Sequence, residues 1–138
     1  MTQINAYINF NGNCREAMNF YRDCLGGELC VQTVEDSAIA YGCPSFMQQQ
    51  VLHASLVKNG LVLMGSDMTG SDGFRPGNTI SLSLCCSSTD EITSYFNGLS
   101  KGGFISHPLK QAAHGSILGV VTDKFGIRWM LNYDGTQH

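Results

Sequence analysis

The chain writes one unit twice. FNGNCREAMNFYRDCLGG runs from Phe10 to Gly27, and LCCSSTDEITSYFNGLSKGG from Leu84 to Gly103. Each reads as a capping residue, an amphipathic run and a closing pair of glycines. Asn13 with Glu16, and Ser88 with Glu91, have the spacing of a capping box, in which two side chains satisfy orphan backbone donors at a helix start. Cys14, Met18, Tyr21 and Leu25 form one stripe, with Arg15, Glu16, Asn19, Arg22 and Asp23 on the outer face. Ile92, Tyr95, Phe96 and Leu99 form the second stripe. Gly26–Gly27 and Gly102–Gly103 allow left-handed exits.

Period-two alternation marks strands around both helices. INAYINF and TISLSLC precede them, and ELCVQTV and FISH follow. HASLV with LVLMGS, and SILGVVT with IRWMLNY, complete the halves, turning at Lys58-Asn59-Gly60 and around Phe125-Gly126. Each half therefore reads strand, helix, strand, strand, strand. The predicted class is α+β: paired βαβββ modules at residues 1–68 and 78–134 of a single domain, 1–138, with curved mixed sheets. TGSDGFRPGN is a linker, and EDSAIAYGCPSFMQQQ an insertion in the first half. A half of roughly 65 residues, covered by a helix on one sheet face only, is marginal alone. The expectation is that two such sheets enclose a shared central cleft.

Side-chain parity assigns faces. Ile4, Ala6, Ile8 and Phe10 belong under the first helix, which leaves Asn5, Tyr7 and Asn9 toward the cleft. Ile80, Leu82 and Leu84 belong under the second, leaving Thr79, Ser81 and Ser83. Ala54 and Leu56 are core, so His53 and Ser55 face the cleft; Leu61 and Leu63 leave Val62, Met64 and Ser66. In the last strand Ile127, Trp129 and Leu131 are core, and Arg128, Met130 and Asn132 look into the cleft. Hydroxyls, amides, a His, an Arg and two Met side chains suit a modest organic ligand. One face of an antiparallel sheet is also commonly wet without any function.

Composition narrows the partners. The net charge is -3 and the basic residues are scattered, which gives no electrostatic footprint for nucleic acid or an anionic membrane. With 43% hydrophobic residues, the chain has no apolar run near the ~20 residues that span a bilayer. MTQINAYINF lacks the pattern of an export signal, so a cytoplasmic protein is expected. The six cysteines show no CxxC spacing and read as small hydrophobes under reducing conditions. Cys85 and Cys86, if in a strand, point to opposite faces. No nucleophile elbow, phosphate loop or carboxylate pair is present. Asp123 reads as an organiser of its turn, His107 before Pro108 as a solvated turn residue, and His138 as terminal.

Taken together, FNGNCREAMNFYRDCLGGEL, HASLVKNGLVLMGSD and GVVTDKFGIRWMLNY resemble the PhnB-like branch of the vicinal oxygen chelate superfamily, which includes glyoxalase I, extradiol dioxygenases and bleomycin-resistance proteins. The resemblance spans nearly the whole chain. It implies a metal held by His, Glu or Gln at four places, where this sequence has Asn5 or Ala6, Met64 or Gly65, Thr79, and Met130. Thioethers, a hydroxyl and an amide are poor ligands for a hard or borderline divalent ion, so no metal is expected. The resemblance also implies a homodimer, puts His53 in the branch's HA motif, and sets His114 where a bulky aromatic usually lines the cleft mouth. The branch is sometimes labelled as methyltransferases of ubiquinone biosynthesis. The sequence has no glycine-rich nucleotide-binding turn in a parallel α/β pattern.

The expected function is metal-free binding of a small organic molecule by Tyr7, Asn9, His53, Met64, Ser66, Thr79, His114, Arg128, Met130 and Asn132. Whether the protein is an enzyme stays open. The alternatives are a metal-dependent lyase, isomerase or dioxygenase, and a mainly structural dimeric domain.

Overall fold

A computed structural model describes residues 2–37, 42, 45–68 and 73–135. The chain divides into two units, Met1–Arg75 and Pro76–His138. The first contains β1 (Ala6–Asn9), α1 (Cys14–Leu25), β2 (Glu28–Thr33), a short helical turn at Ser45–Met47, β3 (Val51–Lys58) and β4 (Leu61–Ser66). Its sheet runs β1-β4-β3-β2, with β1 parallel to β4 and the other pairs antiparallel. The second contains β5 (Leu82–Cys85), α2 (Thr89–Leu99), β6 (Phe104–Gln111), a short helical turn at Ala113–Gly115, β7 (Ile117–Thr122) and β8 (Arg128–Tyr133). Its order, β5-β8-β7-β6, repeats the first, with β5 parallel to β8. The strand, helix, strand, strand, strand plan read from the sequence is the plan of each unit. Among the described residues no helix is long and apolar enough to cross a membrane.

Each helix lies on its sheet by the stripe that its spacing dictates. Cys14, Ala17, Met18, Tyr21 and Leu25 are buried on α1, as are Ala54, Leu56 and Leu63 of the sheet. On α2 the buried residues are Ile92, Phe96 and Leu99, and Trp129 and Leu131 are buried in β8. Small residues set the approach. A Cβ on Gly65 would lie 2.9 Å from the Phe10 ring and 3.2 Å from Cys14 Sγ, and one on Gly119 2.6 Å from the Phe96 ring.

The glycine doublets do two separate jobs. Gly26 and Gly102 take φ of 82° and 76°, the left-handed exit that a side chain disfavours. Gly27 and Gly103 press against the next hairpin: a Cβ on Gly27 would lie 2.7 Å from the Val57 carbonyl oxygen, and one on Gly103 would overlap that of Thr122. Lys58 Nζ donates to the Leu25 carbonyl at 2.9 Å, satisfying an orphan acceptor at the negative end of α1.

The two helix starts differ. At α2 the Ser88 hydroxyl accepts the Glu91 N–H at 3.1 Å, and the Glu91 carboxylate accepts the Ser87 N–H at 2.9 Å. At α1 the expected box is absent: Asn13 sits at φ -114°, ψ 22° and its side chain makes no capping bond. That backbone is not the extended one from which a capping side chain reaches back. Asp67, just past β4, takes its place, accepting the N–H groups of Gly12 and Cys14 at 3.0 and 2.9 Å.

Three further expectations are corrected. Ile4 and Ile80, expected under the helices, are 100% and 79% exposed. The parallel ladders begin only at Ala6 with Leu63 and at Leu82 with Trp129, and both isoleucines lie ahead of them. His107 is not in a turn. It stands exposed in β6 opposite Val120, between two register breaks that let this edge strand carry Pro108. Cys43, His138 and parts of the insertion and linker lie outside the described residues.

Burial pushes the thiols of Cys14 and Cys86 up from the ordinary 9.0 to about 12, helped by the negative charge of Asp67 beside the first and Glu91 beside the second. Cys30 and Cys85 are exposed. A thiolate-specific reagent near about pH 8 is therefore expected to label Cys30 and Cys85 of the native protein while sparing Cys14 and Cys86, read by peptide mass mapping. Unfolded thiols ionise at lower pH than these two. Their contribution to stability is thus complete below about pH 9 and is lost as pH rises toward about 12. Denaturation midpoints across that window, compared with a Cys14→Ala variant, measure it.

Candidate functional site

Register defines the face of the first sheet opposite α1. Tyr7 stands beside Met64, Met64 beside Ser55, and Ser55 beside Cys30, so one row crosses all four strands. The neighbouring row sets Asn9 beside Ser66 and His53 beside Gln32. Tyr7 and His53 meet diagonally, with ring centroids 5.7 Å apart and planes tilted by 35°. Tyr7 is 48% exposed, Asn9 is exposed, and His53 and Met64 are half-buried. The structure thus brings Tyr7, Asn9, His53 and Met64 onto one surface.

Ser66 shares that strand position but does not offer its hydroxyl. It is 2% exposed, donates to the Leu52 carbonyl at 2.8 Å and accepts the Met68 N–H at 2.9 Å. Its bonds are spent on the strand end. Cys30, Gln32 and Ser55 are on the same face and were not among the expected ligand contacts. Alternation in ELCVQTV marks Cys30 and Gln32 as a pair, but only the pairing of β2 with β3 aligns them with Ser55 and His53.

In the second unit Arg128, Met130 and Asn132 alternate along β8 with buried Trp129 and Leu131, so they share the face away from α2. Met130 pairs with Ser83, and the Asn132 amide donates to the Ser83 hydroxyl at 3.4 Å. Thr79 is exposed and lies ahead of β5, so strand parity does not orient it. His114 is exposed, in the turn at Ala113–Gly115, with a left-handed φ of 62°. Trp129 is core: its Nε1–H donates to Asp123 at 2.8 Å, and Asp123 also accepts the N–H groups of Phe125 and Ile127. Asp123 thus orders its turn, as its position in the sequence suggests.

The donors at the places where the resemblance implies a metal do not fit one. Met64 and Met130 bring thioethers, Gly65 and Ala6 bring no donor, and Asn5 and Thr79 bring neutral oxygens. Among the described residues no three His, Cys, Asp or Glu side chains are grouped so that they could hold a metal ion.

Two four-stranded mixed sheets, each built βαβββ with one helix on one face, define a glyoxalase-like α+β protein. The fold is shared, for example, with a glyoxalase/bleomycin resistance protein/dioxygenase superfamily member from Sphaerobacter thermophilus DSM 20745, at 17% identity and a TM-score of 0.61. The chain belongs to the family described as 3-demethylubiquinone-9 3-methyltransferase, whose model matches residues 2–132, and to its PhnB-like relatives. It is 32% identical to protein YjdN of Escherichia coli (strain K12), over 94% of this chain and 93% of that one. Protein PA1353 from Pseudomonas aeruginosa is similar at 35% identity and a TM-score of 0.85, covering 97% of this chain and 98% of its own. The PhnB protein from Bacillus cereus is similar at 28% identity and a TM-score of 0.70, covering 96% and 99%.

Proposed function

We propose that this PhnB-like protein binds a small organic molecule on the face of its first sheet away from α1, without a metal. The observation that carries the reading is the Tyr7–His53 ring pair, 5.7 Å apart on a face that also presents Met64 and Asn9. The His53 imidazole can donate or accept a hydrogen bond, and the Asn9 amide can do both. The reading supported is binding rather than methyl transfer. In nucleotide-binding folds the anion sits on the first helix N-terminus after a parallel strand. Here two N–H groups at the start of α1, those of Gly12 and Cys14, are already taken by the Asp67 carboxylate.

The test is a thermal-shift screen of a broad small-molecule library, with and without EDTA, followed by His53→Ala. A ligand whose stabilisation survives chelation and weakens about tenfold or more in His53→Ala is the expected result, on the scale of a lost hydrogen bond in a partly desolvated site. Stabilisation that vanishes with chelator would support metal chemistry instead and remove this proposal.

A further inference from the structure

Resting on that binding reading, we infer that the ligand is an uncharged molecule carrying a planar aromatic ring. Tyr7 leaves about half its surface open at 48% exposure, and the neighbouring His53 ring is tilted 35° to it. Two rings on one flat surface offer π faces and edges at the separations that aromatic pairs prefer. Met64, directly beside Tyr7 in register, adds a polarizable thioether of the kind that packs against ring edges. An aliphatic ligand gains only contact area from this arrangement, whereas a flat ring also gains the quadrupolar term.

The charge on the face narrows the class further. Around the ring pair the side chains are neutral amides, hydroxyls and thioether. Among the described strand residues of this sheet, Glu28 is the charged one whose register puts it on this face, and it stands at the far end opposite Val57, two places from Cys30. Lys58 belongs to the opposite face and is spent on the Leu25 carbonyl. A carboxylate, phosphate or ammonium docked at Tyr7 would be partly desolvated with no counter-charge beside it among the described strand residues of this sheet, which is costly. Hydroxyl or amide substituents, by contrast, find partners in Asn9, Ser55 and Gln32.

The experiment titrates the full chain with para-hydroxybenzamide and para-hydroxybenzyl alcohol and with the ring-saturated, equally uncharged counterpart of each, following backbone amide shifts by NMR. Wild type, Tyr7→Phe and Tyr7→Leu are compared, with melting curves to verify folding. The aromatic probes are expected to bind about tenfold tighter than their saturated counterparts and to shift amides of β1, β3 and β4. Tyr7→Leu should remove most of that preference, while Tyr7→Phe keeps it. Equal binding of aromatic and saturated probes, or a preference that Tyr7→Leu leaves intact, overturns the aromatic assignment and leaves small-molecule binding standing. Failure of every probe also overturns it, and the broad library with His53→Ala then decides the binding reading separately.

Discussion

Gly103→Ala is expected to destabilise the second unit by roughly 3 kcal/mol or more, among the larger effects of a single methyl group. The added Cβ would overlap the carbonyl oxygen of Thr122, and it would also lie 2.9 Å from the Cα and carbonyl carbon of Asp123. All of these are backbone atoms, so no side-chain rotation relieves the clash. Relief requires moving the end of β7, where Thr122 pairs with both Phe104 and Arg128, or opening the turn that Asp123 holds. Gly102→Ala is the internal control. Its φ of 76° costs about 1–2 kcal/mol for a side chain, but its Cβ would meet mainly the flexible Lys124 side chain. Urea denaturation followed by fluorescence of Trp129, the single tryptophan, reports the second unit directly. A Gly103→Ala variant no less stable than Gly102→Ala would show that the hairpin yields easily, and the close-approach explanation of the doublet would fail.

The same contrast shows what was legible in the sequence. Helix stripes, strand alternation and the duplicated order are local patterns, and each recurs in the structure because burial of one face enforces them. The paired glycines were legible as helix stops, but the second glycine of each pair answers to a carbonyl about 20 to 30 residues away, which spacing cannot reveal. Parity brought Tyr7 and His53 to one face, and their rings meet there. It failed for Ile4 and Ile80 because alternation continues in the sequence past the point where the partner ladder begins. It placed Ser66 on the right strand without revealing that neighbouring backbone claims its hydroxyl. The cap of α1 was misread for the same physical reason. Asn13 and Glu16 have the right spacing, yet a carboxylate delivered from the end of β4 outcompetes a local side chain whose backbone is not extended.

That carboxylate is the second place where a large effect is expected. Asp67 is 7% exposed; one oxygen accepts the N–H groups of Gly12 and Cys14, and the other accepts that of Val51 at 2.9 Å. It ties the start of α1, the start of β3 and the end of β4 at a single point. Asp67→Ala leaves three backbone donors without this acceptor, and buried donors left unmade cost about 1–3 kcal/mol each. Partial rehydration lowers the sum, so a loss of roughly 3–5 kcal/mol is expected in chemical denaturation. Asp67→Asn keeps one acceptor oxygen but turns an amide N–H₂ toward a backbone donor, and about 2 kcal/mol or more is expected. Hydrogen exchange should accelerate at Gly12, Cys14 and Val51 before the rest of the sheet. Cys14 supplies an independent readout: burial and the charge of Asp67 hold its thiol high, so Asp67→Asn should make it label faster with a thiolate-specific reagent. Because Val51 opens the strand that carries His53, the same variant should loosen the Tyr7–His53 pair and weaken any ligand held there. A variant within about 1 kcal/mol of wild type, with Cys14 still protected, would mean that the local backbone holds this corner unaided.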